Sequence, residues 1–404
     1  MEGRLKNRMG ATADEPARLR VNPEVVRAAR EQANLGLEEA AVYLSKLLKR
    51  EHGEPVQVDH LLSWETGTQL PTELQAEALA RVYLVPFVSL FRETPPHPAI
   101  RDFRLGARGK IRPLSYETVE ELSRFSQLYA LAKKVSSALG TLEDVSIPER
   151  ALSSIERPED VEGIARDVRG WLGITYEEQT AWPNEAEALA RWTEKLEAVG
   201  IFVLQLPMPV EECRGASKWE PGGPPAILLS TADTSAGRLF TLVHEFAHLV
   251  FKTGDKTIVC EPIGLPGPRE DKFANRFAGA ALVPRDLLTP LLPPRIPSQT
   301  YRLWPESDRQ RLRRVLKVSH AVIGIRLVEL GLVADAGYEW RPSRRPMGGP
   351  SRPVWERFRR YLGARSVALA RQAVSTERIT AAEVSRILDI KVTDAEAIVG
   401  GLAI

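Results

Sequence analysis

At 404 residues the chain exceeds the ~250 to 300 residues at which single cores usually stop growing, so two or three domains are expected. Its 43% hydrophobic and 27% charged residues match a folded globular protein, and at a formal net charge of +2 nothing in the overall balance calls for nucleic acid, a membrane surface or a polyanion, so any DNA binding must be local. Two cysteines, Cys213 and Cys260, exclude a disulfide framework or a CxxC zinc ribbon, and without a signal-like N-terminus or a run of ~18 apolar residues the expectation is a soluble cytoplasmic protein with no membrane partner.

Residues 1–20 mix charges of both signs and read as a tail. Residues 21–93 then form a helical unit. Pro23 suits a first helical turn, and Val25, Val26, Ala29 and Ala33 recur at helical spacing. A second helix from Glu38 to Lys49 puts Ala41, Leu44, Leu47 and Leu48 on one side. The break at Gly53-Glu54-Pro55 precedes a third helix through Trp64, and Gly67 and Pro71 lead into a fourth. The proline-rich run Thr94-Pro95-Pro96-His97-Pro98 cannot continue a helix and marks a domain boundary.

Residues 94–340 read as the next domain. Helices are expected from Tyr116 to Gly140, Pro158 to Leu172 and Asn184 to Ala198. Gly200 to Leu206 and Ala226 to Ser230 are short apolar runs between Gly and Pro, the pattern of strands in a small sheet. The second of these fits either a core strand or an edge to which an extended peptide adds. Ser235 to Phe251, Glu270 to Leu282 and Arg309 to Leu330 follow as helices. Residues 341–404 comprise a Pro-, Gly- and Arg-rich linker to Pro353 and a last helical region from Val354.

The chemistry is concentrated in Leu242-Val243-His244-Glu245-Phe246-Ala247-His248-Leu249-Val250. Residues four apart share a helical face, so His244 and His248 can reach one ion, and Glu245 stands where a carboxylate can take a proton from water and pass it to a leaving amine. Bare imidazoles and a carboxylate would be costly in so apolar a helix without a metal. A catalytic zinc site needs a third protein ligand and an open position. Downstream of His248 there is no third histidine at metzincin spacing, and the adjacent acids Glu270 and Asp271 open the next helix as alternative third ligands. Two histidines and a carboxylate take Zn2+, and also accept Mn2+ or Fe2+. His320 could also stabilise an oxyanion, although a helix-start role suits it as well.

The chain resembles the ImmA/IrrE metallopeptidases in His244-Glu245-Phe246-Ala247-His248, in Phe273 to Pro284 (Phe-Ala-Asn-Arg-Phe-Ala-Gly-Ala-Ala-Leu-Val-Pro) and in Gly215-Ala216-Ser217-Lys218-Trp219 with the strand Ala226 to Ser230. The similarity extends from about Asp102 to Leu332. It implies a gluzincin-like domain with a third ligand four positions before Asn275, which is Asp271 here where the family usually has glutamate. It also implies a site-specific protease whose protein substrate is a transcriptional repressor, often in stress-response circuits.

Pro23 to Phe91 resembles a Cro-like (XRE-type) helix-turn-helix, on Arg27-Ala28-Ala29-Arg30, Leu62-Ser63-Trp64-Glu65-Thr66-Gly67 and Pro71-Thr72. That resemblance implies double-stranded DNA as a partner, with Gln57, Asp59, His60 and Ser63 facing bases and Arg27, Arg30, Lys46, Lys49 and Arg50 facing phosphates. The expected fold class is therefore mainly α with an α+β core: a helix-turn-helix domain, a gluzincin-like metallopeptidase domain with a small sheet, and a C-terminal helical appendage. The leading function is a zinc-dependent endopeptidase coupled to DNA binding. The alternative is a DNA-binding regulator or antitoxin-like protein with the zincin fold as sensor or structural module.

Overall fold

The computed structural model describes residues 17–50, 53–94, 103–104, 114–141, 160–220, 222–250, 257–260, 269–338, 354–388 and 390–400. The expected tail before residue 17, the proline run from Pro95 and the linker at 341–353 lie outside them. The chain divides into two compact units, Met1–Pro98 and Ala99–Ile404.

The first unit is built from α1 (Pro23–Gln32), α2 (Leu37–Arg50), α3 (Val58–Thr66), α4 (Glu73–Val82) and a 3-10 turn, Phe87–Phe91. Its helix ends follow from local chemistry. The Asn22 side chain accepts from the amide of Glu24, and Thr72 and Gln75 close a reciprocal capping box on α4. Gly67, at φ 75°, ends α3 in the left-handed conformation that glycine adopts without penalty. Val25, Val26, Leu44, Leu48, Leu61, Trp64 and Leu79 form the core. Across it Arg30 grips Glu65, with Nε–Oε1 at 2.6 Å and Nη2–Oε2 at 3.0 Å, and its Nη1 donates to the Leu35 carbonyl. Arg30 therefore ties α1 to α3, which removes it from the cations expected to face phosphate.

The second unit opens with β1 (Phe103–Arg104), α5 (Tyr116–Leu139), α6 (Val161–Leu172), α7 (Tyr176–Ala181) and α8 (Glu185–Ala198). Next come β2 (Phe202–Leu206), β3 (Gly215–Lys218), β4 (Ala226–Ser230), α9 (Ser235–Val250), β5 (Thr257–Cys260) and α10 (Arg269–Leu282). The chain continues through α11 (Arg285–Leu288), α12 (Glu306–Leu316) and α13 (His320–Glu329), and ends in α14 (Val354–Ser375), α15 (Ala381–Leu388) and α16 (Val392–Gly400). The fold is mainly helical around one small sheet of order β1-β5-β3-β4-β2. Among the described residues no helix is long and apolar enough to cross a membrane.

One open reading is decided here and one expectation is corrected. β4 is an interior strand, parallel to β2 and antiparallel to β3, so both rows of its backbone groups are used and it offers no edge for strand addition. The helical stretch expected from Arg309 to Leu330 is two helices, because Lys317 adopts φ 60° and Ser319 caps a new start by accepting from the amide of Val322. The short helix α7 and the strands β1, β3 and β5 were not legible as elements.

The C-terminal helices belong to the second compact unit: α14 packs on β2 and α5, and α15 on α5. Gly363 breaks α14 at φ 73°, and a Cβ there would lie 2.6 Å from Glu197 Oε1 and 2.8 Å from the Val203 carbonyl oxygen. Nearby, Arg365 Nη1 donates to the Glu197 carbonyl at 2.9 Å. Burial pushes the Glu197 carboxyl up to about 7, helped by Glu194 and opposed by Arg365. Since the folded value lies above the ordinary 4.5, the folded chain binds this proton more tightly than the unfolded chain. The stability it contributes is fully present below pH 4.5 and is lost as pH rises through about 7, up to about 3 kcal/mol. Urea unfolding between pH 4.5 and 8 should show this decline, and Glu197→Gln should flatten it. An unchanged slope in the variant would assign the decline to other groups.

Candidate metal centre

The metal motif lies on α9, which is buried along nearly its whole length. The helix starts from Asp233, whose Oδ1 accepts from the Thr234 amide at 2.7 Å and whose Oδ2 accepts from Arg214 Nη2 at 2.5 Å. Asp233 is only 2% exposed, so this charge-assisted pair anchors the first turn away from solvent screening. Leu239, Leu242, Val243, Phe246 and Ala247 then pack into the main core. The face that carries His244 and His248 looks toward α10, which with α8, β3 and β4 packs on α9.

His244 and His248 are 6% and 4% exposed. Their rings meet edge to face with centroids 4.9 Å apart and Nε2 atoms 3.1 Å apart. Asp271, on the first turns of α10, places Oδ1 3.3 Å from His248 Nε2. One ligand atom from each of the three residues lies within 4.8 Å of the other two. Bonds of ~2.0 to 2.1 Å in tetrahedral array put neighbouring ligand atoms about 3.3 Å apart, so the spacing fits one small divalent cation. Burial first, and the neighbouring His248 second, hold the His244 ring well below the usual imidazole range, against the pull of Asp271 and the Asn275 side chain. A neutral ring is the form that ligates metal.

Asp271 is thus grouped with the two histidines, at the position that the family resemblance implies for a third ligand. Glu270 lies on the same helix, but its side chain falls outside the described residues, as does that of Cys260 on β5.

Glu245 is fully buried beside the ligands. Strand β3 runs against its turn of helix. A Cβ on Gly215 would lie 2.4 Å from Thr241 Cγ2 and 3.2 Å from Glu245 Cγ, so only glycine permits this approach. Cys213, just before β3, is fully buried and donates to the Gly215 carbonyl. Burial, then the Glu245 charge, pushes its thiol up, so it is an inert wall of the site rather than a nucleophile.

Helix α10 is held at its far end by buried side chains from other elements. Arg169 Nη1 donates to the Ala281 carbonyl at 2.8 Å, Gln179 Nε2 to that of Leu282 at 2.9 Å, and Arg326 Nε to that of Val283 at 3.0 Å. Cations and donors at a helix C-terminus satisfy its last carbonyls and complement its dipole. These residues were missed in the sequence, where they look like ordinary surface polar positions.

His320 belongs to a different cluster. Its Nδ1 lies 3.3 Å from the Tyr301 hydroxyl and its ring stacks on Tyr338, so it serves the start of α13 and not the metal centre. In the first unit, Gln57, the N-cap of α3, and Asp59 in its first turn are exposed. His60 Nδ1 instead accepts from the Gln57 amide, its ring stacks on Trp64, and Ser63 Oγ donates to the His60 carbonyl. Gln57 and Asp59 face solvent, while His60 and Ser63 are partly spent on local capping. Arg27, Lys46 and Lys49 are exposed, and the Arg50 side chain lies outside the described residues.

Searches of curated proteins and of solved structures give no match to this chain. Residues 196–328, which hold His244, Glu245, His248 and Asp271, match the Peptidase_M78 family model, described as the IrrE N-terminal-like domain, and this supports a metallopeptidase of the IrrE/ImmA type.

Proposed function

We propose that this chain is a zinc-dependent, site-specific metalloendopeptidase that cleaves a transcriptional repressor or related regulator in the cytoplasm, with a DNA-binding helix-turn-helix in its first unit. The observation that carries the catalytic reading is the convergence of His244, His248 and Asp271 within 4.8 Å, with Glu245 buried beside them. His244 Nε2, His248 Nε2 and an Asp271 oxygen would hold the cation. Bound there, a divalent ion supplies Lewis acidity, polarising the peptide carbonyl and making water easier to deprotonate. Glu245 accepts the proton as the water oxygen attacks the carbonyl carbon. It returns that proton to the amine nitrogen as the C–N bond breaks, which balances the hydrolysis. The apolar wall from α9 and the close approach of β3 keep bulk water from screening these charges.

The regulator as substrate rests on the family resemblance. DNA binding rests on the four-helix first unit, with Gln57 and Asp59 exposed at the start of α3, Arg27 exposed on α1 and Lys46 and Lys49 exposed on α2.

Metal content of the purified chain tests the centre. One zinc per chain is expected, lost in His244→Ala and Asp271→Ala and kept in Glu270→Ala. Absence of bound metal at micromolar zinc would sink the peptidase reading. Loss in Glu270→Ala with retention in Asp271→Ala would move the third ligand to Glu270.

A further inference from the structure

Gly215 brings β3 against the metal helix, where a Cβ on it would lie 3.2 Å from Glu245 Cγ. β3 has β4 on one side and β5 on the other. β5 pairs with it antiparallel, with Gly215 opposite Cys260, Ala216 opposite Val259 and Ser217 opposite Ile258. Beyond β5 comes β1, the last strand of the sheet among the described residues, which runs parallel to it with Phe103 opposite Thr257 and Arg104 opposite Ile258. Neighbouring strands are about 4.8 Å apart, so β1 lies about 10 Å from β3. The outer side of β2 is one strand further from β3 and α14 packs on β2. The outer row of β5 is therefore the nearest row of backbone donors and acceptors to Glu245 to which an extended peptide can add. β1 is a weak occupant of it. It contributes two residues, against five in the pairing of β2 with β4, and parallel pairs are slightly less stable per residue than antiparallel ones. A peptide paired along all four residues of β5 makes more backbone bonds than β1 does. β1 belongs to the same chain, however, and competes at an effective concentration on the order of millimolar.

We propose that β1 is an autoinhibitory strand: it holds the outer row of β5 in place of substrate, and a protein segment displaces it, adding to β5 as an extended strand, before its peptide bond reaches the metal centre. A strand that only finished the sheet would protect its edge, and breaking it would leave hydrolysis unchanged or lower it. The two roles therefore differ in the sign of the effect. The inference rests on the peptidase reading given above and deepens it, by naming how the protein substrate is admitted.

The test is the double variant Phe103→Pro, Arg104→Pro of the full, zinc-loaded chain, since proline has no amide to give to a ladder. Cleavage of a proteome-derived peptide library is followed by mass spectrometry for parent and variant. The variant should cut the same sites about fivefold faster or more, the factor to which one net backbone hydrogen bond corresponds. For the fastest-cut peptide, made synthetically, the gain should appear as a lower KM at unchanged kcat. Hydrogen exchange at Thr257–Cys260 should quicken in the variant while zinc content stays at the parental value. Cleavage no faster than the parent's, or unchanged exchange along β5, overturns the proposal. A gain that survives Glu245→Gln in the same background comes from another protease and overturns it as well. Should the proline pair fail to fold, Phe103→Gly, Arg104→Gly, which weakens the strand but keeps its amides, is judged by the same criteria. Cleavage by neither parent nor variant with zinc bound overturns both this role and the peptidase reading, while an active parent with no gain in the variant overturns only the role of β1.

Discussion

Glu245→Gln is expected to lower peptide hydrolysis by about 10² to 10⁴-fold while leaving one zinc per chain in place. The amide has nearly the shape of the carboxylate and fits the same fully buried position, but it cannot accept a proton from water. The residues grouped so that they could hold the cation are His244, His248 and Asp271, so it should remain when Glu245 alone is changed. The measurement is mass spectrometry of a proteome-derived peptide library incubated with zinc-loaded parent and variant. Cleavages that persist at parental rates in the variant would show that Glu245 is not the base. The same variant separates the two functional readings. A DNA-binding regulator with a sensor-like zincin fold would shift an operator fragment equally well with either residue and cleave nothing in either form.

The second large effect concerns stability. Arg169→Leu should destabilise the chain by about 3 to 5 kcal/mol. Arg169 is 3% exposed and donates to Gln179 Oε1 at 2.6 Å and to the carbonyls of Ala281 and Thr175 at 2.8 and 3.1 Å. Its guanidinium also lies over the rings of Tyr176 and Trp192. Burial draws its pKa down to about 10, which still leaves it charged at neutral pH. Leucine would strand those acceptors in the core, and each unsatisfied buried group costs about 1 to 3 kcal/mol. Because the Ala281 carbonyl terminates α10, the loss should reach the metal centre as well, weakening zinc binding in the same variant. Guanidinium unfolding checks the first part. A loss below about 1 kcal/mol would mean that water or a rearranged Gln179 replaces the arginine.

The elements most legible in the sequence were those whose signal is local. The apolar surroundings and spacing of four that place His244 and His248 on one face belong to a single helix, and α9 carries them as read. Strands β2 and β4 are apolar runs bounded by turn residues, and both formed. β3 was invisible as a strand because Gly215-Ala216-Ser217-Lys218 has neither β-branched nor large apolar side chains. Small residues are required there because the strand lies hard against Thr241 and Glu245.

The amino-acid sequence by itself determined the helix that carries the two histidines with their glutamate, and narrowed a possible third ligand to a pair of acids. Tertiary structure decided the rest. It brought Asp271 to His248, enclosed β4 between β2 and β3, and consumed Arg30 in a pair with Glu65. It also set Arg169, Gln179 and Arg326 on the end of α10. The physical reason is common to all of these. Periodicity and capping report the faces and ends of one element, whereas the partner of a buried polar group is whichever donor or acceptor another element carries to it when the core closes.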